Sequence, residues 1–175
     1  MIETKIKITT EEALFYAYFI LMTAAKGIGL VSGNPVYNLC LVLGTILVLT
    51  KVLIGRYTIR EYLLIGFLLL LGLVIWRISA NQAALICLTL VVSMKQISTK
   101  KTFRVGAFIW GSCFIFQILT QLLNLRTRDF VIHNKYHLGY QIRWALGYSH
   151  PNVLQIAYMV LLGYLAYASF KRLSY

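Results

Sequence analysis

The chain has 175 residues, 59% of them hydrophobic and 13% charged, with 17 Lys+Arg against 5 Asp+Glu and a net charge of +12. So oily a composition, with a mean hydropathy of +0.75, excludes a soluble enzyme, a disordered tail and a disulfide-stapled secreted module. The basic charge falls between long apolar runs, which is how bilayer proteins distribute it and not how nucleic-acid binders do.

Taken in order, the apolar runs predict an all-α, polytopic membrane helical bundle with about six transmembrane helices, forming one integral membrane domain over 1–175. The expected spans are 13–31, 36–50, 62–76, 83–94, 105–125 and 153–170. Lys5 and Lys7 precede the first span without a small-residue cleavage site, so that span is expected to stay. Ser32-Gly33-Asn34-Pro35 is a turn between the first two spans. Lys26 sits within the first span and Arg77 ends the third; both are expected to snorkel, with a polar cavity as the alternative. Gly66, Gly72, Gly106, Gly111 and Gly163 suit close helix packing. Gln117, Thr120, Gln121 and Asn124 recur at three or four residues, a stripe suited to an interhelical or cavity face. Cys40, Cys87 and Cys113 lie inside apolar runs with no metal or disulfide spacing.

Orientation follows from the loop charges. With the N-terminus inside, the inner segments collect Lys5, Lys7, Lys51, Arg56, Arg60, Lys95, Lys100, Lys101, Arg104, Lys171 and Arg172, the majority of the basic residues. The sequence therefore predicts a multi-pass protein of the cell membrane with both termini cytoplasmic.

The outer segments hold Arg77 and then Arg126, Arg128, Lys135 and Arg143 in one long connection, 125–152. That loop also carries Asp129, the histidines His133, His137 and His150, and the aromatics Tyr136, Tyr140, Trp144 and Tyr148. Pro151 reads as the first residue of the sixth span with His150 at or near its cap, and Gly147 lets the chain bend before it. A helix N-terminus beside a guanidinium and an imidazole is an anion site suited to phosphate or pyrophosphate. The plainer alternative is a basic, aromatic loop touching lipid headgroups. His133 and His137, four apart, have no third ligand beyond Asp129, and no metal is assigned.

Arg143-Trp-Ala-Leu-Gly-Tyr-Ser-His150-Pro151-Asn152 resembles the R-x-x-L-G-F/Y-x-H-P-N signature of Wzy-type polysaccharide polymerases of Gram-positive bacteria, in the O-antigen ligase/polymerase superfamily. A leucine-rich span opening at Thr58-Ile-Arg-Glu, then Arg77-Ile-Ser-Ala-Asn and Met94-Lys-Gln-Ile-Ser, follows the order of elements common upstream of that signature. The resemblance implies a membrane glycosyltransferase that joins undecaprenyl-pyrophosphate-linked oligosaccharide repeats at the outer membrane face, without metal or cofactor. It implies Arg143 on the pyrophosphate and His150 on the same group or as the base, with Asp129 a second candidate base. Arg126, Arg128 and Lys135 would add anion contacts, Tyr140, Trp144 and Tyr148 would stack on sugar rings, and Asn152 completes the signature. Expected partners are the lipid-linked oligosaccharide, membrane lipid and other polysaccharide-assembly membrane proteins, with no nucleic acid. Members of that family are generally longer, so the chain is expected to correspond to an N-terminal portion. The competing readings are a small transporter or anionic-lipid-binding protein, and a non-catalytic truncated remnant.

Overall fold

A computed structural model describes residues 9–31, 33–79, 82–123, 125, 130–135 and 139–169, apart from the side chains of His133 and Lys135. Among these described residues are six helices: α1 (Thr10–Gly27), α2 (Pro35–Ile54), α3 (Ile59–Ser79), α4 (Ala83–Ser93), α5 (Thr99–Leu122) and α6 (Pro151–Ser169). Between α5 and α6 lies one hairpin, β1 (Phe130–Lys135) and β2 (Gly139–Trp144). The protein is an all-α polytopic membrane protein. Four helices, α2, α3, α5 and α6, are by themselves long and apolar enough to cross a bilayer.

The other two differ from the expected spans for local reasons. Glu11 and Glu12 open α1 and Lys26 closes it, so only the stretch between them is uncharged. Gly29, at φ +82°, lies beyond its end, and Lys26 is an exposed cation in the last turn, where it favours the helix dipole. α4 has 11 residues, about 16 Å at 1.5 Å per residue, roughly half the hydrocarbon thickness.

The described residues divide into two compact units, Met1–Met22 with Ser32–Thr99 and Thr23–Val31 with Lys100–Tyr175. In the first, Asn34 caps α2 by accepting the Val36 amide at 2.9 Å, with Pro35 at the first helical position. The Tyr18 ring lies against Gly44, where a Cβ would stand 2.9 Å from Cδ2, and its hydroxyl donates to the Ile86 carbonyl at 3.4 Å. Gly72 admits Leu85 in the same manner, pairing α3 with α4.

Charges close one end of this unit. Thr58 and Glu61 form a capping box for α3: Glu61 Oε2 accepts the Thr58 amide at 2.7 Å, and Thr58 Oγ1 accepts the Glu61 amide at 3.4 Å. Lys51, with no exposed surface, donates its ammonium to the Ser93 and Lys95 carbonyls at 2.7 and 3.1 Å, satisfying the end of α4. Lys95 reaches back to Glu61 at 2.7 Å and to the Arg56 carbonyl at 2.9 Å, over the Tyr57 ring.

The second unit is built on α5 and α6. Tyr164 fills the space left by Gly106, and Trp110 Nε1 donates to the Ala157 carbonyl at 2.8 Å. Gly66 and Gly163, by contrast, face open space and are not packing glycines.

Candidate functional site

The run from Arg143 to Asn152 joins the hairpin to α6, and most of it is a packed turn. Leu146 has φ +42° and Gly147 φ +82°, so the chain reverses through two consecutive left-handed residues. Only glycine fits at 147 on two counts. The backbone is left-handed, and a Cβ would lie 2.5 Å from the Gln117 carbonyl oxygen.

Tyr148 is 3% exposed. Its hydroxyl donates to the Gly27 carbonyl at 3.3 Å, and its ring faces Phe114 at 6.2 Å between centroids. Burial, with a smaller push from the Cys113 thiol, raises the phenol to about 12, so it remains a donor. The expectation that Tyr148 stacks on a sugar is corrected: this ring belongs to the core. Ala145 and Pro151 are buried with it.

The polar stripe of α5 runs beneath this turn. Gln117 is fully buried and its Nε2 donates to the Ile28 carbonyl. Thr120 donates to the Gln117 carbonyl at 2.8 Å, and Gln121 is buried. Of the stripe, Gln117 reaches the segment that follows α1, Thr120 bonds within its own helix and Gln121 is buried; Asn124 lies outside the described residues.

His150 and Asn152 come together at the start of α6. His150 Nδ1 accepts the Asn152 amide at 3.2 Å, and the His150 carbonyl accepts the Val153 and Leu154 amides at 2.9 and 3.3 Å. Pro151 has no amide proton to offer. The first-turn donors expected to face an anion are therefore engaged by His150 itself, which corrects the picture of a bare helix N-terminus. With Nδ1 accepting, an imidazole in its neutral form carries its proton at Nε2.

The hairpin separates residues that the sequence groups together. Register pairs Phe130 with Trp144, Val131 with Arg143, Ile132 with Ile142 and Asn134 with Tyr140. Strand alternation puts Tyr140 and Trp144 on one face and Arg143, with Gln141, on the other. Trp144 and Tyr140 are exposed; Arg143 is half-exposed. Arg126, Arg128 and Asp129 lie outside the described residues, as does the side chain of Lys135. The sequence reading missed the hairpin and the Thr58–Glu61 box; the signals for them are a weak apolar alternation in Phe130–Lys135 and Gly139–Trp144 and a T-x-x-E motif before an apolar run.

Compared with protein-family models, curated proteins and solved structures, the chain finds no match.

Proposed function

We propose that the chain acts in joining undecaprenyl-pyrophosphate-linked oligosaccharide repeats at the outer face of a membrane, as a Wzy-type polymerase or a portion of one. The observation that carries this reading is one ten-residue run in which Arg143 and His150 flank a buried, packed turn beside two membrane helices. A packed mount of this kind suits a group that must meet a phosphate in a set position.

In the reaction, a hydroxyl of the acceptor repeat attacks the anomeric carbon of the donor. A new C–O bond forms, the bond to the lipid pyrophosphate breaks, and the hydroxyl proton leaves to a base. Arg143 takes the pyrophosphate as its charge grows. His150, capped at Nδ1 and protonated at Nε2, suits the same leaving group better than the base. On this reading Asp129, the second candidate base, takes the hydroxyl proton.

Arg143→Ala should lower surface polysaccharide by about 100-fold while leaving the protein in the membrane at its normal level. Polymer of normal amount and length in that variant would refute the role given to Arg143.

A further inference from the structure

The hairpin carries an unpartnered apolar face. Phe130, Ile132, Tyr140, Ile142 and Trp144 share one side of the ribbon by register, with Asn134 beside Tyr140 the polar member at its tip, and each of the five is between 49% and 78% exposed. Phe130 and Trp144 meet edge to face with centroids 6.0 Å apart, so the face ends in an aromatic pair. Two strands alone are marginal in water, and one that turns five large apolar groups outward needs an apolar surface to lie on.

The depth of the hairpin's base points to the occupant. Gly147 packs on Gln117 and Tyr148 on Phe114. At 1.5 Å per residue these positions lie about 8 and 12 Å short of the end of α5 at Leu122. The chain therefore leaves β2 alongside a membrane-crossing helix, at a level still flanked by lipid-facing side chains. Irregular backbone is tolerated at that depth where it is buried in protein or faces water, and Ala145, Gly147, Tyr148 and Pro151 are buried while Ser149 is exposed. Phe116, Leu119 and Leu122 in the last turns of α5, with Leu123 and Leu125 just beyond it, are exposed apolar side chains.

We propose that the face of Phe130, Ile132, Tyr140, Ile142 and Trp144 lies in the interfacial layer of the bilayer beside the end of α5, making the α5–α6 connection a membrane-seated ribbon. Tyr and Trp at this level match the aromatic belt of membrane interfaces, with their polar atoms toward the headgroups. The opposite face, with Gln141 and Arg143, is left turned away from lipid. The proposal stands apart from the saccharide chemistry and holds whatever ligand Arg143 takes.

The test uses the full chain in phosphatidylcholine/phosphatidylglycerol vesicles. Subtracting the fluorescence of Trp144→Phe isolates Trp144 from Trp76 and Trp110 without removing the aromatic face. Lipid brominated near the top of its acyl chains should quench the Trp144 component about two-fold, as expected for a ring seated at the headgroup boundary, while aqueous iodide leaves it nearly unchanged. Trp144→Phe combined with Tyr140→Trp should give the same pattern from the other end of the ribbon. Quenching by iodide and not by bromolipid would overturn the proposal. So would shielding that appears only on adding oligosaccharide, or only at high protein-to-lipid ratio, since these identify a glycan or a second copy on the face.

Discussion

At the residue scale, the signature run divides into side chains that build the turn and side chains that remain for a ligand. Gly147 and Tyr148 belong to the first group: one is compelled by a left-handed backbone against Gln117, the other by its place in the core. Nothing in their spacing announced this, because a tyrosine in a basic outer loop reads equally well as a stacking platform. His150 belongs to both groups. Its Nδ1 replaces the side-chain oxygen of an ordinary cap, so His150→Ala should cost about 1 kcal/mol through loss of the Asn152 acceptor. His150→Asn restores an acceptor and should recover the stability without the imidazole. Thermal unfolding in detergent checks the pair; equal losses in both variants would mean that the ring holds the turn in another way. A normally folded His150→Asn protein that yields no polymer would isolate the chemical contribution of the ring.

At the scale of elements, the long helices were legible because bilayer-crossing segments announce themselves by apolar length, and their observed ends lie within six residues of the expected ones, the largest difference being the start of α5 at Thr99. The hairpin was hidden for the opposite reason. Period-two alternation over six residues is a weak signal inside a loop already rich in charge and aromatic rings. The joint between α2 and α4 was equally silent, since a lysine at the end of an apolar run reads as an inner-loop charge. Yet Lys51 is buried, and its ammonium serves two carbonyls at the end of α4. Lys51→Met keeps the bulk and removes the donor, leaving buried carbonyls unsatisfied at a cost of about 1–3 kcal/mol. Glu61→Gln should have a much smaller effect, because glutamine can retain the capping box and the lost ion pair is partly exposed. Unfolding midpoints of the two variants in mixed micelles would check this order, and the reverse order would show that Lys95–Glu61 is the principal lock.

For the whole molecule, composition alone was sufficient for the class of protein, while loop charge predicts an orientation with both termini cytoplasmic. Single cysteines introduced at Arg56 and at Ser149, in a chain whose other cysteines are replaced, should divide by side. The first should resist, and the second accept, a membrane-impermeant thiol reagent applied to intact cells. Labelling of both, or the inverse pattern, would reverse the assignment and take the Arg143–Asn152 run away from the outer face. The site was legible only in part. The sequence grouped Arg143, Trp144 and Tyr140 by proximity along the chain, whereas a strand sends neighbours to opposite faces. A loop reading has no faces and so could not separate them.

The Lys51 contact also has a bearing on how the chain is made. Its carbonyl partners lie 42 and 44 residues further on, so at 5–20 residues per second the ribosome supplies the first of them about 2–8 s after the lysine itself. Throughout that interval the ammonium is an unmated charge at the end of a newly inserted helix. A free lysine there is the kind of signal that retains a helix end on the cytoplasmic side. On the orientation that the loop charges predict, the same side chain would serve in succession, first as a mark for the threading of α2, and then as the donor that closes α4 onto it once that helix has emerged.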